Sequence, residues 1–377
     1  MLPPHQIRNP KSLSQSSPNS QEPTGLQGKP RSGSLGKTGE FGFIHIIQKR
    51  FGSTQPPIIY GIGDDAAVIH SVAGNDLLVS TDLLTEDIHF TFGLHSFKEI
   101  GYRAAVANLS DIAAMGGIPQ ALLVGLAIPP KLSMQNLTEL YQGLMKPCQE
   151  PGVALIGGDT AKSRSGLFLS ITVLGKIKHG RSLRRSGAKV ADHIYVTGTL
   201  GDSSAGFQLL QHCQGSRPAH KKKKDEVQLI KRHLHPIARL AVGQQLSRHK
   251  IAHAAIDLSD GLSGDLRHLC QASQVGAELW EKHIPISREC QAFAYDYGKP
   301  SLDLALGGGE DYELLFTAPA GHRRQVEAIS KSCNVPISCI GQIHKKDFGI
   351  RVKLTNGSSR KVRVTSFNHF TNISSPP

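Results

Sequence analysis

Acidic residues set among glycines and small polar residues, each beside an apolar run, recur through both halves of this 377-residue chain. The segments are Gly61-Ile-Gly-Asp-Asp65, Ser80-Thr-Asp82, Asn108-Leu-Ser-Asp111, Gly157-Gly-Asp-Thr160 and Asp257-Leu-Ser-Asp-Gly261. Taken singly, each has an ordinary explanation. Asp260 can cap a helix that begins at Leu262, and Asp64, Asp65 and Asp159 can be turn residues. Taken together they constrain the fold, because carboxylates gathered in one place repel one another unless a cation joins them. The chain is basic, with 43 Lys and Arg against 30 Asp and Glu and a formal charge of +13, so these acids are not surplus surface charge. Oxygen ligands in glycine turns suit Mg²⁺, which keeps water and shares its coordination with phosphates, and the glycines let a phosphate approach the backbone. The pattern points to a metal-phosphate site built from distant segments.

Apolar periodicity alternates between the strand and helix patterns, which implies a mixed α/β chain. Helices are expected over Phe43 to Phe51, Phe97 to Met115 and Ser133 to Gln149 in the first half, with Gly116-Gly117 ending the second of them. Strands are expected at Ile58 to Tyr60, Ala66 to Ile69, Leu77 to Ser80, Ala121 to Ile128, Val153 to Ile156 and Leu167 to Lys176. Asn108 and Asp111 lie three residues apart on the long helix, so both can face one cleft. A connector at Arg185 to Lys189 then precedes a second half. It holds strands His193 to Thr197, Ala254 to Ile256 and Leu314 to Thr317, and helices Ser203 to His212, Asp225 to His233, Ile237 to His249 and Leu262 to Ser273. The domain reading is a disordered Ser-, Pro- and Gly-rich extension over 1–38, domains over 39–186 and 187–370, and a tail over 371–377.

Several function classes are excluded or disfavoured. No apolar window is long enough for a membrane helix. The six cysteines form no CxxC pair and no export signal precedes them, which favours reduced thiols and a cytoplasmic protein. There is no P-loop, no GxGxxG loop after a strand and no protein-kinase HRD or DFG set, and the histidines lack zinc-motif spacing. The dense basic run Lys221 to Lys224 has no interleaved aromatics, so it reads as a solvated loop, and a nucleic-acid partner is not expected.

Gly61-Ile-Gly-Asp-Asp-Ala-Ala67, Ser80-Thr-Asp-Leu-Leu84, His89-Phe90, Asn108-Leu-Ser-Asp-Ile-Ala-Ala-Met-Gly116, Ile156-Gly-Gly-Asp-Thr160, Arg185-Ser-Gly-Ala-Lys189, Asp257-Leu-Ser-Asp-Gly-Leu262 and Gly308-Gly-Glu-Asp-Tyr-Glu-Leu314 resemble the thiamine-monophosphate kinase family. That family belongs to the superfamily of aminoimidazole-ribonucleotide synthetase and selenophosphate synthetase. The resemblance runs from Gly39 to about Phe370. It implies a two-domain fold with an N-terminal mixed sheet that pairs in a homodimer and a C-terminal α/β domain. It further implies that Asp64, Asp65, Ser80, Thr81, Asp82, Asp111, Asp159, Asp257 and Asp260 hold several Mg²⁺ ions, with Asp111, Asp159 and Asp260 central to catalysis. Tyr141, Gly158, Arg185 and Ser259 would contact ATP, and His89, Glu310 and Phe367 the thiamine phosphate. Asp87 stands where the family has glycine, Thr85 replaces a valine, and Phe367-Asn-His-Phe370 replaces Tyr-Asp-His-Phe.

The reaction so implied is in-line transfer of the γ-phosphoryl group of ATP to an acceptor phosphate that is already deprotonated, so positioning and charge neutralisation replace a general base. Rivals of the same fold fit less well, since the first cysteine is Cys148 and the chain ends Ser374-Ser-Pro-Pro377. A selenophosphate synthetase would need an N-terminal reactive cysteine, and a hydrogenase-maturation protein a cysteine tail. Aminoimidazole-ribonucleotide synthetase is the alternative enzyme, and a non-catalytic nucleotide-binding protein the alternative of another class.

Overall fold

A computed structural model describes residues 35–52, 55–71, 74–213 and 223–363. In the first half α1 (Leu35–Phe51), β1 (Ile58–Tyr60), β2 (Ala67–His70), β3 (Asn75–Thr85), α2 (Phe97–Ala114), β4 (Ile118–Ile128), α3 (Met134–Met145), β5 (Ala154–Lys162) and β6 (Phe168–Lys178) follow one another. Their strands form a mixed sheet in the order β1-β2-β3-β6-β4-β5. All neighbours are antiparallel except β4 and β5, which run parallel.

Helix α2 lies on one face of this sheet, and its ends are where the sequence puts them. Ser96 caps it in a reciprocal box with Glu99, each side chain taking a backbone N–H that the first turn would leave unpaired. Gly116, at φ +73°, turns the chain out in the left-handed region where a side chain would be strained. Helix α3 crosses α2 closely enough that a Cβ on Gly101 would stand 1.9 Å from the Leu140 carbonyl, and one on Gly143 1.9 Å from that of Lys98. Apolar residues of β2, β3, β4, β6, α2 and α3 fill the layer between sheet and helices, among them Leu78, Ile100, Leu109, Leu122, Leu144 and Ile171.

The second half comprises β7 (His193–Thr197), α4 (Asp202–Cys213), α5 (Lys224–Leu234), α6 (Leu240–Arg248), β8 (Ala254–Asp257), α7 (Leu262–Ser273), β9 (Val275–Trp280), α8 (Arg288–Asp296), α9 (Ser301–Gly307), β10 (Leu314–Ala318), α10 (Arg323–Cys333), β11 (Ile337–Lys345), β12 (Ile350–Lys353) and β13 (Ser359–Lys361). Its sheet has the order β13-β12-β9-β11-β7-β10-β8. Strand β8 is an edge, and Asp257 sits at its end paired with Leu314 of β10. Helix α6 seats this half on α2, where a Cβ on Gly243 would lie 2.0 Å from the Ala113 carbonyl.

Helix α1 begins at Leu35, ahead of the expected start at Phe43. Two expectations about the strands also need correction. Strand β3 is longer than its apolar stretch and carries Ser80, Thr81 and Asp82 inside it. Gly157-Gly-Asp-Thr160 is not a turn but the middle of β5. Pairing explains both, since β3 matches β6 from Asn75 to Thr85, and β5 pairs along β4, where a Cβ on Gly158 would stand 2.0 Å from the Val124 carbonyl. Strands β9, β11, β12 and β13 and helices α8, α9 and α10 were not anticipated from sequence. Phe367, the lysines at 221 and 222 and the terminal segments over 1–34 and 371–377 lie outside the described residues. No helix among the described residues is long and apolar enough to cross a membrane. Cys148, Cys270 and Cys290 are free and buried, and burial pushes their thiols up to about 11, 12 and 12, as expected of inert core fillers.

Candidate functional site

Strand alternation decides which residues of β3 reach the cleft. Ser80 and Asp82 share a face with the buried Leu78 and Leu84, towards α2, whereas Thr81 and Leu83 face the other way. From α2, Asp111 accepts a hydrogen bond of 2.5 Å at Oδ2 from the Ser80 hydroxyl. The loop before β2 adds Asp64 and Asp65, and the end of β8 adds Asp257. Ligand oxygens of Asp65, Asp111 and Asp257 all lie within 4.8 Å of one another, although the residues are up to 192 positions apart in the chain (257 − 65).

This gathering is electrostatically costly. Burial, and then the charge of Asp65, push the carboxyls of Asp64, Asp82 and Asp257 above the usual carboxylate range. Asp111 is pushed well above it by burial and by Asp82, Asp257 and Asp65. Arg185, from the link between the two sheets, offsets part of the charge. Its Nε and Nη2 donate to Asp65 Oδ1 at 3.1 and 2.5 Å, and its backbone N–H to Asp64 Oδ1 at 3.0 Å. Asp65 Oδ2 is buried with no hydrogen-bond partner among the described residues. A cluster of three carboxylates, one with an unpartnered buried oxygen, suits a hard dication, so the donors fit Mg²⁺.

Asp260 lies three residues beyond Asp257 and just ahead of α7. The cap position is Gly261, and Asp265, in the first turn, accepts the N–H groups of Asp260 and Gly261 at 3.2 and 3.1 Å. The Asp260 carboxylate is close enough to push Asp265 up, after burial, which is the larger cause. Ser259 is half-buried, and its carbonyl accepts the Glu310 N–H at 2.7 Å. Glu310 and Tyr312 both adopt positive φ, +63° and +51°, a conformation non-glycine residues hold only where their surroundings impose it. Between them Asp311 takes the Gly201 and Ser203 N–H groups at 2.7 and 3.0 Å and so ties this loop to the start of α4.

Arg103 of α2 was not anticipated from sequence. It is 3% exposed, donates from Nη1 to the His89 carbonyl at 3.2 Å and from Nη2 to Glu310. One buried guanidinium thus joins the two described residues that the sequence nominates for the acceptor. The available signal was an arginine on the apolar side of a capped helix, between Ile100 and Ala104, where a buried cation demands an acid. The loop bearing His89 is itself anchored, since Glu86 accepts from the Leu167 N–H at 2.7 Å and from Lys131 at 2.6 Å. Asp87 takes φ +65°, so it keeps a left-handed turn of the kind glycine would supply, and aspartate is among the few side chains that tolerate it. Next to Glu310, His233 meets His95 at 3.0 Å between Nε2 atoms and Ser203 Oγ at 3.0 Å.

Tyr141 is half-buried on α3. With Leu126, Ile128, Leu137, Met145 and Thr160 it lines a mostly apolar groove of about 900 Å³ between α3 and the β4–β5 edge, wide enough for a planar heterocycle. Asp159 neighbours Thr160 but is exposed, as is the whole of β5. Its partner in register is Gly125, which pairs with Ser170, which pairs with Leu83. Asp159 and Thr81 therefore belong to the sheet face opposite Ser80 and Asp82, and a single chain does not bring their side chains into the acid cleft.

Comparison with known proteins agrees with this architecture. The AIR synthase related protein N-terminal domain matches residues 63–177 and the corresponding C-terminal domain residues 189–353. The thiamine-monophosphate kinase of Salmonella typhimurium is 40% identical over 81% of this chain and 90% of its own length. That of Bacillus subtilis is 35% identical over 88% and 99%. The solved structure of AaThiL complexed with AMPPCP and TMP superposes with a TM-score of 0.77 at 32% identity, covering 90% of this chain and 99% of that one. On likeness of this extent, the chain belongs to the thiamine-monophosphate kinase family, built on two AIR synthase related domains.

Proposed function

We propose that the protein transfers the γ-phosphoryl group of ATP to thiamine monophosphate, giving ADP and thiamine diphosphate, in a Mg²⁺-dependent in-line displacement. The observation that carries this reading is the convergence of the buried carboxylates of Asp65, Asp111 and Asp257, with Asp65 Oδ2 lacking a hydrogen-bond partner among the described residues. In this reading Asp64, Asp65, Ser80, Asp82, Asp111, Asp257 and Asp260 would hold Mg²⁺, and Thr81 and Asp159, on the outer face of the sheet, would join them only through the bound nucleotide or a second chain. Bound Mg²⁺ neutralises the phosphates and so lets two polyanions approach.

The chain's own groups do the positioning. Tyr141 and its groove take the adenine, and Gly158, on the neighbouring β5, contacts the nucleotide through its backbone. Arg185, held by Asp65, presents a fixed cation to the transferring phosphate. Ser259 lies beside the nucleotide, and Arg103 fixes the His89 backbone and the Glu310 carboxylate against the acceptor, where Phe367 would stack on a ring. No base need remove a proton, because the attacking phosphate oxygen is ionised near neutral pH.

The exposed β5 edge and the sheet face bearing Thr81, Leu83 and Asp159 support a homodimer through the first domain, since unpaired strand edges are ordinarily covered. A cytoplasmic location fits the free cysteines. The test is ADP formation from ATP and Mg²⁺ with thiamine monophosphate, formylglycinamidine ribonucleotide and other phosphorylated acceptors in parallel, with Asp111→Asn as control. Turnover confined to thiamine monophosphate is expected, and turnover with the ribonucleotide alone would replace this reading.

A further inference from the structure

The sheet of the first domain carries a second group of metal-type ligands at the end remote from the acid cleft. His70 ends β2, Asp76 lies opposite it in register on β3, and His179 follows β6, its N–H bonded to the Gly74 carbonyl at 3.0 Å. Asp76 precedes Asp82 by six residues of one strand, a separation of about 20 Å at strand rise. None of the three residues has a role in the proposed phosphoryl transfer.

Their donor atoms converge. His70 Nδ1 stands 3.4 Å and His179 Nδ1 2.9 Å from the same Asp76 oxygen, Oδ1, and one ligand atom from each residue lies within 4.8 Å of the others. Two donors about 2.1 Å from a tetrahedral ion stand about 3.4 Å apart, so small rotations of the imidazoles suffice to admit one. The carboxylate is fixed while the rings are free to adjust: Asp76 is 2% exposed, its other oxygen accepts the Gly180 N–H at 3.4 Å, and His70 and His179 are 59% and 58% exposed. A backbone bond that orients a ligating carboxylate is the usual support for a metal ligand.

We infer that His70, Asp76 and His179 form a surface site for a borderline transition-metal dication of the zinc type, with water completing the shell, distinct from the site for Mg²⁺. Two imidazoles and one carboxylate favour such an ion over Mg²⁺, which prefers oxygen ligands. Occupancy would clip the β2–β3 hairpin to the end of β6.

Co²⁺ serves as the visible probe for Zn²⁺. The full chain, untagged and held in excess Mg²⁺ so that the acid cleft is filled by the harder ion, is titrated with Co²⁺ and followed by its d–d absorption. The expected result is one equivalent of nitrogen-ligated Co²⁺ that Zn²⁺ displaces. His70→Ala and His179→Ala should each weaken it about tenfold or more, while His249→Ala, an exposed histidine elsewhere, leaves it unchanged. Both test histidines are largely exposed, so the variants should fold, and circular dichroism checks this. Absence of the bands, or their persistence in the His70→Ala, His179→Ala double variant, overturns the proposal. Phosphoryl transfer is assayed separately in Mg²⁺, so either reading can fail alone.

Discussion

The acid cleft and the β5 strand carry the same kind of sequence element, an aspartate among glycines, and the fold treats them in opposite ways. In the cleft Asp65 and Asp257 are buried beside Asp111, and burial together with neighbouring carboxylates raises the proton affinities of Asp111 and Asp257. On β5 Asp159 is exposed, and its pairing places it on the other face of the sheet. The difference teaches that a motif of this sort does not define a site. The cleft acids converge within one chain, while the β5 acid stands apart from them on the exposed face of the sheet.

The largest effect is expected for Asp111→Asn. Loss of one charged ligand at the centre of the cleft should lower kcat by about 10³-fold. The same change should raise the melting temperature in a chelator, because it removes like-charge repulsion among buried groups. Activity loss together with a lower melting temperature would mean that the cleft acids stabilise the fold, and the contrast with β5 would fail. Asp159→Asn comes next. A fall in activity of about tenfold to a hundredfold is expected with stability within about 0.5 kcal/mol of wild type, as for an exposed position, and a shift in chelator like that of Asp111→Asn would place Asp159 in the cleft after all.

Arg103→Lys tests the acceptor side of the cleft. A lysine keeps the charge but cannot reach the His89 carbonyl and the Glu310 carboxylate with two arms of one planar group. KM for thiamine monophosphate should rise about tenfold, with a smaller change in kcat and none in KM for ATP. An equal rise in both KM values would assign Arg103 to general packing.

The smallest expected effect is on pH dependence. Burial, and then Arg103, lower His95 to about 4, and burial drives His233 well below the ordinary histidine value. Between pH 6.5 and about 4 the unfolded chain therefore binds more protons at these sites than the native one, so they remove stability as pH falls through that window. The cleft acids, raised above 3.8, act in the other direction: in chelator their contribution is largest at low pH and declines as pH rises through their raised values. Melting curves in chelator and in Mg²⁺ separate the two, since only the cleft contribution should respond to Mg²⁺. A Mg²⁺-independent profile would break the comparison.

Much of the first domain was legible in the sequence because its signals are local. Ser96, Glu99 and the Gly116-Gly117 pair delimit α2, and the apolar runs locate β4 and β6. The second domain was less legible. Strands β9, β11 and β12 gain their stability from neighbours far along the chain, β12 pairing parallel with β9 and β11 lying between β9 and β7, and a short strand of that kind has little signal outside its sheet. The acids of the site were visible as residues, and their gathering into one site was expected from their number in a basic chain. Which of them meet was not legible, and neither was Arg103, whose role depends on burial against partners distant along the chain.

The sequence alone determined which acids stand among glycines and small residues, the long helix that carries Asp111 and the family to which the chain belongs. These follow from residue identity and short-range spacing. Only the tertiary structure decided that Asp65, Asp111 and Asp257 share one pocket, that Thr81 and Asp159 face away from it, and that one guanidinium binds the His89 loop to Glu310. The physical reason is that strand register and helix crossing, set by side-chain alternation and by backbone contacts at Gly101, Gly143, Gly158 and Gly243, fix distances between residues that no local interaction relates.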